Sequence, residues 1–189
     1  MTYFAVNVLY TVNPNIPKAM LTAMLEECKK LTYTKSLVNG DDTSNLKGEI
    51  AKVRSSEQHW LCWDHWIAGI MHNIFISANN DYFQYDLDHF DSGIQVTKYE
   101  VGQEYGWHID QLPPHEKLPR KLSMSLLLND TFTGGEFELY NPNTQQNQVV
   151  PTTPGSAIIF PSWVVHRVNP VKSGTRYSLV AWMNGPQFK

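Results

Sequence analysis

The sequence contains few cysteines and no excess of positive charge, and each shortage excludes a class of protein. Its two cysteines, Cys28 and Cys62, are too few for a disulfide framework. Both fall within helix-like apolar patterns, so we expect two buried thiols and a reducing compartment. Lys and Arg number 15 against 18 Asp and Glu, which gives a net charge of −3. Because binding to phosphate backbones depends on positive charge, we expect no general nucleic-acid binding.

Long apolar runs are also missing. Asn7 interrupts the apolar stretch near the N-terminus, and no basic region precedes it, so this end predicts neither a signal peptide nor a membrane span. The chain has no internal repeat and no low-complexity segment. Its length of 189 residues, 42% of them hydrophobic, suits one domain with a substantial core. We therefore expect a single domain over 1–189 that is soluble, cytoplasmic and without a membrane partner.

The first 80 residues carry mainly helical patterns. Apolar residues at a spacing of three to four predict a helix over about 17–32, with Asn15 as its cap and Pro17 in its first turn. A second apolar stripe, from Trp60 to Ile74, predicts another helix.

We expect this second helix to enter through a capping box at 55–58 and to end near 78–80. The polar stretch at 39–45 predicts a loop between the two helices. Trp60, Trp63 and Trp66 are interpreted as core and helix-packing residues and not as a stacking platform for nucleic acid.

From about residue 82 the apolar period changes to two, which is typical of β-strands. Gly134-Gly135 predicts a hairpin turn. No helix-length pattern intervenes, so a parallel βαβ sheet is excluded, and the spacing favours a double-sheet jelly roll or a barrel with helices packed outside. The predicted strands are 82–87, 93–101, 104–109, 121–128, 136–140, 146–150, 156–160, 164–168 and 175–182.

A His-x-Asp motif at His108 and Asp110 is the first chemical signal. Alternate residues of a strand face the same side, so the two side chains can hold one ion together. A second such pair, His89 and Asp91, is interpreted as a solvated strand edge. His166 lies in a short apolar strand where a histidine is unusual, and two histidines with one carboxylate form a metal site that keeps three positions open. We therefore predict His108, Asp110 and His166 as metal ligands.

Ten residues beyond His166 comes Arg176, followed by Ser178 on the same face of the predicted strand. A guanidinium that points inward from a strand needs an anionic partner, and a carboxylate meets it with two parallel hydrogen bonds. Inside a barrel, the simplest source of that carboxylate is a bound small-molecule ligand.

Several further motifs share this order over about residues 93–183. They are Tyr99 to Asp110, Arg120 to Asn129, Gly134-Gly135-Glu136, Pro154 to His166, Pro170-Val171, Gly174 to Ser178 and Trp182. The whole arrangement resembles the Fe(II)- and 2-oxoglutarate-dependent oxygenases of the prolyl 4-hydroxylase-like, PKHD-type group.

The resemblance implies a mainly β fold with N-terminal α-helices. Its core would be a double-stranded β-helix of the jelly-roll, cupin-like type at 82–183, flanked by a helical support region at 1–80. It also implies that His108, Asp110 and His166 ligate the catalytic Fe(II).

The resemblance further implies that Arg176 pairs with the distal carboxylate of 2-oxoglutarate, with Tyr99 and Ser178 lining the same pocket. Leu127 departs from the family pattern, because relatives often carry a tyrosine there that hydrogen-bonds the co-substrate. At 53–56 the chain is similar to the group's N-terminal region, and we assign no chemistry to it.

The implied activity is O₂-dependent hydroxylation of a C–H bond, with release of succinate and CO₂. We expect the substrate to be a prolyl residue in a peptide or protein, and a loop at 111–119 to close over it. The alternative among enzymes is a hydroxylase of a free amino acid or small molecule. The alternative outside enzymes is a cupin-like metal-binding module without oxygenase activity. The sequence leaves an ascorbate requirement open.

Overall fold

The computed structural model describes residues 9–36, 54–91, 93–111, 118–141 and 145–187. Two α-helices lie in these ranges, α1 at Lys18–Lys29 and α2 at Trp66–Ala78, and α2 continues into a π-helical turn at Asn79–Phe83. The strands are β1 (Tyr10–Val12), β2 (Thr34–Lys35), β3 (Glu57–Leu61), β4 (Ile94–Tyr99), β5 (Tyr105–His108), β6 (Arg120–Leu127), β7 (Phe132–Gly134), β8 (Phe137–Asn141), β9 (Gln146–Val150), β10 (Ala157–Pro161), β11 (His166–Val168), β12 (Val171–Gly174) and β13 (Arg176–Asn184).

The described strands pair antiparallel throughout. A major sheet has the order β1-β10-β6-β13-β4-β3-β2, and a minor sheet has the order β5-β11-β8-β9. The short strands β7 and β12 pair with each other. Of the two architectures that the strand spacing favoured, this is the jelly roll, with a cavity lined from both larger sheets.

Alternation along the major sheet separates a helix-facing side from a cavity-facing side. On β13, Leu179, Ala181 and Met183 join the core cluster that contains the helices, whereas Arg176, Ser178, Val180 and Trp182 line the cavity. On β4, Ile94 and Val96 face the helices, and Gln95, Thr97 and Tyr99 line the cavity. Because side chains alternate with a period of two, the same strands supply both the core and the site.

Both helices pack on the outer side of the major sheet. From α1, Met24 and Cys28 are fully buried, and α2 adds Ile67, Met71 and Phe75 at helical spacing. Fully burying one such large apolar side chain contributes about 1.5–3 kcal/mol relative to leaving it exposed. The helices therefore stabilise the sheet that carries the cavity.

The N-terminal region is less helical than the sequence predicted. Residues 57–61 form β3, because they complete an antiparallel ladder with β4 in which Leu61 lies opposite Ile94. The expected capping box is not used for a helix, and Ser55 Oγ instead accepts a hydrogen bond from the Glu104 N–H at 2.9 Å. The helix begins later, at Trp66, where His65 Nδ1 accepts from the Ile67 N–H at 3.3 Å.

The predicted cap of α1 was also wrong. The residue before the helix is Pro17, and it makes no side-chain cap. Asn15 lies outside the helix with a left-handed φ of 54°. Its backbone N–H is satisfied by Asn13 Oδ1 at 3.0 Å, so the segment turns before the helix begins.

The predicted strand at 82–87 is absent from the described residues, since the chain there forms the π-helical turn and an irregular segment. The Asn79 side chain explains this outcome. Its amide donates to the Tyr85 carbonyl at 2.9 Å, and its Oδ1 accepts from the Tyr85 N–H at 2.8 Å. Both backbone groups of Tyr85 are therefore unavailable for a sheet ladder.

Gly134 and Gly135 do adopt positive φ values, 73° and 64°, but they do not form a hairpin. The strand before them pairs with β12, and the strand after them pairs with β9 and β11. A Cβ at Gly134 would lie 2.4 Å from the Pro170 carbonyl oxygen, so glycine allows a close approach between two chain segments.

The tryptophans of the N-terminal half are more exposed than a core interpretation allows. Trp63 is 75% exposed, and Trp60 and Trp66 are also exposed. Trp60 lies against Trp182 with ring centroids 5.9 Å apart, and Trp66 Nε1 donates to Glu27 Oε2 at 2.9 Å. The interpretation as core residues was therefore wrong.

The predicted loop at 39–45 lies outside the described residues, and so do residues 112–117 of the expected closing loop. Within the described part of the chain, no helix is long and apolar enough to span a bilayer.

The two cysteines differ in exposure, which corrects the expectation of two buried thiols. Cys28 is fully buried in α1, whereas Cys62 is exposed after β3. Burial raises the pKa of the Cys28 thiol to about 12, which keeps it protonated and unreactive.

We therefore predict that Ellman's reagent titrates one thiol in the folded protein and two in denaturant. Cys62→Ser should remove the fast-reacting thiol, and Cys28→Ser should leave it unchanged. Fast reaction of both thiols in the folded protein would contradict the burial of Cys28.

Candidate metal centre

Strand pairing brings the two histidines of the predicted site together. His166 on β11 lies directly opposite His108 on β5. Asp110 follows β5, and its backbone N–H donates to the Ser162 carbonyl at 2.9 Å, which fixes the residue beside the pair. Asp110 Oδ1 lies 3.6 Å from His108 Nε2, and Asp110 Oδ2 lies 3.5 Å from His166 Nε2. One donor atom from each residue lies within 4.8 Å of the others.

Hydrogen bonds orient both imidazoles toward this centre. His108 Nδ1 lies 2.7 Å from the Gly106 carbonyl oxygen, and His166 Nδ1 lies 2.9 Å from the Val164 carbonyl oxygen. A carbonyl oxygen can only accept, so each Nδ1 carries the proton and donates it. Each Nε2 therefore presents a lone pair to the cluster, which is the arrangement that metal-ligating histidines use.

Burial and charge set the protonation of the cluster. Burial, followed by the neighbouring His166, lowers the pKa of His108 to about 3. For Asp110, burial alone would raise the pKa, but His166 and His108 outweigh it and hold the pKa below its usual range. At neutral pH His108 is therefore neutral and Asp110 ionised, which are the forms that bind a cation.

Aromatic rings enclose the two imidazoles. The Tyr105 ring stacks on His108 with centroids 3.5 Å apart. Phe137 and Phe160 flank His166 at 5.4 Å and 4.6 Å. This packing limits the movement of the rings.

Imidazole and carboxylate donors together suit Fe(II), and three protein ligands leave coordination positions open.

Arg176 lies on β13 of the major sheet and lines the same cavity as the cluster. It is 2% exposed, and its Nη1 donates to Ser178 Oγ at 2.8 Å. Its Cζ lies 5.5 Å from the centroid of the Tyr99 ring, the residue opposite it on β4. Among the described residues, no carboxylate lies within 4.0 Å of its guanidinium. A buried cation of this kind requires an anion in the cavity.

The structure thus places all six predicted site residues on one cavity. Leu127, where relatives often carry tyrosine, is buried opposite Ser178 on the paired strand. The hydroxyl groups near Arg176 therefore come from Tyr99 and Ser178. Trp182 also lines the cavity wall.

The competing His-x-Asp pair does not form a site. His89 is exposed and contacts Asp88, with His89 Nδ1 3.2 Å from Asp88 Oδ2. Asp91 is half-buried and accepts from Arg120 Nε at 2.6 Å. In the part of the chain that the structure describes, the group of His108, Asp110 and His166 is the only one with metal-binding spacing.

Sequence reasoning missed a polar group on the cavity wall, made of Arg54, Gln58 and Gln95. Arg54 Nη2 donates to Gln95 Oε1 at 2.9 Å, and the Gln95 amide donates to Gln58 Oε1. A signal was available on β4, where Gln95 and Thr97 are polar residues at alternate positions, on the face of the strand that also carries Tyr99. It did not identify Arg54, which lies 41 residues away in sequence from Gln95.

Comparison with known proteins agrees with this geometry. Residues 94–184 match the profile of the 2OG-Fe(II) oxygenase superfamily. This segment is therefore similar to the members of that superfamily. Fe(II) and 2-oxoglutarate are the cofactor and co-substrate that the superfamily's name states, and the donor set at His108, Asp110 and His166 fits the metal.

One curated relative is a PKHD-type hydroxylase from Synechococcus sp. (strain JA-2-3B'a(2-13)). It is 33% identical over 95 residues, which cover 48% of this chain and 42% of the relative. The matched part therefore spans less than half the length of that relative.

Two solved structures share the oxygenase fold over nearly the whole chain. A prolyl-4-hydroxylase from Pseudomonas putida has a TM-score of 0.75 at 19% identity, covering 97% of this chain and 95% of that one. A prolyl hydroxylase from Trichoplax adhaerens, in complex with a hypoxia inducible factor oxygen degradation domain peptide fragment, has a TM-score of 0.75 at 18% identity. It covers 94% of this chain and 84% of that one.

The depressed pKa of His108 predicts a pH-dependent stability for the metal-free protein. Folded His108 takes up a proton only near pH 3, whereas an unfolded histidine does so near 6.5. Between these values the unfolded state binds more protons, so the free energy of unfolding falls as the pH falls.

His108→Gln removes this titration, and its free energy of unfolding should fall less steeply over the same range. Urea unfolding at a series of pH values measures the slopes. His89→Gln is the control, because His89 is exposed, and its slope should match the parent protein. Equal slopes for His108→Gln and the parent would contradict the neutral, buried state of His108.

Proposed function

We propose that this protein is an Fe(II)- and 2-oxoglutarate-dependent dioxygenase that hydroxylates a C–H bond. The observation that carries the proposal is the pairing of a His-Asp-His cluster with an unneutralised, buried arginine on one cavity. The cluster alone suits many metal proteins. The arginine adds a site for an anionic co-substrate, which a cupin-like module that only binds metal does not need.

In this proposal three side chains hold the iron. His108 and His166 supply their Nε2 lone pairs, and Asp110 supplies a carboxylate oxygen. The two Nδ1 hydrogen bonds to backbone carbonyls keep the imidazoles in the ligating tautomer. Ser162 fixes Asp110 through its backbone. The protein thus prepares a face of three ligands before the metal binds.

Arg176 binds the distal carboxylate of 2-oxoglutarate. Its guanidinium offers further N–H donors beside the one given to Ser178, and a carboxylate accepts two of them in parallel. Tyr99 and Ser178 line the same part of the cavity and orient the co-substrate. Strand register supports this set, since Tyr99, Arg176 and Ser178 face inward from neighbouring positions on β4 and β13.

With iron and 2-oxoglutarate bound, the centre would use O₂ to convert 2-oxoglutarate to succinate and CO₂ and to place one oxygen atom in a substrate C–H bond. The residues of the chain position the reactants and exclude water. Tyr105, Phe137 and Phe160 pack against the imidazoles and keep their surroundings apolar. Trp60 and Ile109 line the cavity and are exposed, so the cavity wall reaches solvent at these residues.

We propose a prolyl residue in a peptide or protein as the substrate. The support is the likeness to proteins named prolyl hydroxylases, one of them bound to a peptide. A free amino acid or small molecule is the competing substrate class, and Arg54 on the cavity wall is the observation that favours it. An assay of succinate release and mass increase against proline-containing peptides and free amino acids, with and without ascorbate, separates these classes.

Loss of any one predicted ligand should abolish turnover. We predict that His108→Ala, Asp110→Ala and His166→Ala each reduce Fe(II) content and bring succinate release to background, because two remaining ligands do not hold the metal. His89→Ala is the matched control and should keep both properties. Metal analysis and succinate release test all four variants. Activity lost in His89→Ala but kept in His108→Ala would refute the assignment.

Arg176→Ala should separate metal binding from co-substrate binding. We predict that the variant keeps Fe(II) and that its 2-oxoglutarate requirement rises on the order of a hundredfold, because a charged hydrogen-bond partner is lost from a buried site. Tyr99→Phe keeps the ring and should have a smaller effect. Titration of 2-oxoglutarate in the turnover assay measures both. An unchanged requirement in Arg176→Ala would mean that this arginine is structural.

A further inference from the structure

A second buried guanidinium faces the cavity. Arg54 is 8% exposed, and it lines the cavity beside Tyr105. Its Nε donates to Ser56 Oγ at 2.9 Å and its Nη2 to Gln95 Oε1 at 2.9 Å. Its Cζ lies 4.5 Å from the centroid of the Tyr105 ring. The side chain is therefore held in one orientation, while three of its five N–H donors have no partner among the described residues.

The charges on the cavity wall do not balance. The described lining residues include three arginines, Arg54, Arg120 and Arg176, against one carboxylate, Asp110. Arg120 is neutralised by Asp91, with Nη2 2.5 Å from Oδ2. Asp110 lies between the two histidines. Within the described ranges, no carboxylate comes within 4.0 Å of Arg54, and burying an unpaired charge is costly.

One 2-oxoglutarate at Arg176 does not neutralise Arg54. Arg176 lies over Tyr99, whereas Arg54 bonds to Gln95, and these two residues of β4 face the cavity four positions apart. Four residues of a strand extend about 13 Å. The Tyr105 ring, which contacts Arg54, stacks on His108. The Tyr105 ring therefore lies between Arg54 and His108. This places Arg54 near the metal centre, where a bound substrate would contact it.

We propose that Arg54 binds a carboxylate of the primary substrate and so selects anionic substrates. This inference rests on the proposed function, in which Arg176 is already taken by 2-oxoglutarate. The fixed guanidinium matches a carboxylate with two parallel hydrogen bonds. Thr97 is further evidence for a bound ligand at this position. Its hydroxyl is buried and has no hydrogen-bond partner among the described residues, and it lies beside Gln95 on the cavity face of β4. The carboxylate is either the terminal one of an amino acid or an acidic side chain in a peptide.

Matched pairs of probes test this site without turnover. The protein is loaded with Zn(II) and saturating 2-oxoglutarate, and binding is measured by calorimetry. N-acetyl-L-proline and N-acetyl-L-prolinamide report a terminal carboxylate. Acetyl-Pro-Glu-amide and acetyl-Pro-Gln-amide report an acidic side chain. We expect the carboxylate member of at least one pair to bind about 10- to 100-fold more tightly than its amide, the range for a hydrogen bond to a charged group.

Two variants should remove this preference by different routes. Arg54→Gln removes the charge. Gln95→Glu keeps Arg54 and places a carboxylate oxygen where Gln95 Oε1 now accepts at 2.9 Å, so the guanidinium is neutralised within the fold. Arg54→Lys keeps the charge and should retain part of the preference. Gln95→Glu distinguishes the proposal from a structural role of Arg54. If Arg54 only stabilised the fold, a stronger contact with residue 95 would leave the preference for carboxylate probes unchanged.

The proposal is overturned if the parent protein prefers neither carboxylate, if the preference survives in Gln95→Glu, or if Arg54→Gln weakens both members of a pair equally. It is also overturned if Arg176→Gln removes the preference and Arg54→Gln does not. Titration of 2-oxoglutarate into the same Zn(II) samples tests the proposed function separately. Binding of 2-oxoglutarate should stay within about twofold of the parent in Arg54→Gln and Gln95→Glu. Absence of that binding in the parent would instead count against the oxygenase assignment.

Discussion

The pairing of β5 with β11 is the constraint on which the rest of the site depends. It places His108 directly opposite His166, so two imidazoles separated by 58 sequence positions meet at one point of the minor sheet. Asp110 lies two residues beyond the end of β5, and the hydrogen bond from its N–H to the Ser162 carbonyl holds it beside the two histidines. The backbone carbonyls of Gly106 and Val164 orient the two imidazoles, so the chain itself sets the direction in which each Nε2 points.

The major sheet completes the site through simple alternation. Its outward residues bury α1 and α2, and its inward residues supply the polar groups of the cavity. One strand, β13, therefore places Leu179 and Ala181 in the core and Arg176 and Ser178 on the cavity wall. A shift of register by one residue would exchange these roles and destroy both the core and the site. Stability and function are thus tied to the same pairings.

Motif spacing predicted the parts of the site that lie close together in sequence. His108 with Asp110, and Arg176 with Ser178, are pairs two residues apart in sequence, and the period of two predicted a common face for each pair. Arg176 and Ser178 both lie on β13, whereas Asp110 lies two residues beyond the end of β5 and is positioned by the Ser162 carbonyl. His166 was identified from a polar residue in an apolar strand. The absence of helical patterns after residue 82 left a jelly roll or a barrel, and the family resemblance implied the jelly roll. These are local signals, and the structure agrees with their geometry.

The N-terminal half depended on contacts that no local pattern encodes. Residues 57–61 read as the start of a helix, but the free edge of β4 takes them into the sheet. Tyr85 was expected in a strand, and the side chain of Asn79 captures its backbone instead. The Arg54 side chain is positioned by its contacts with Gln95 and Tyr105, which are distant from it in sequence. In each case a tertiary contact overrides the propensity of the segment.

The most direct test of the account is a crystal structure of the protein grown without O₂, with Mn(II) and 2-oxoglutarate. The account predicts Mn(II) bonded to Nε2 of His108, Nε2 of His166 and a carboxylate oxygen of Asp110. It also predicts that the distal carboxylate of 2-oxoglutarate accepts from Arg176, beside Tyr99 and Ser178. A metal bound elsewhere, or a 2-oxoglutarate whose distal carboxylate does not reach Arg176, would contradict it.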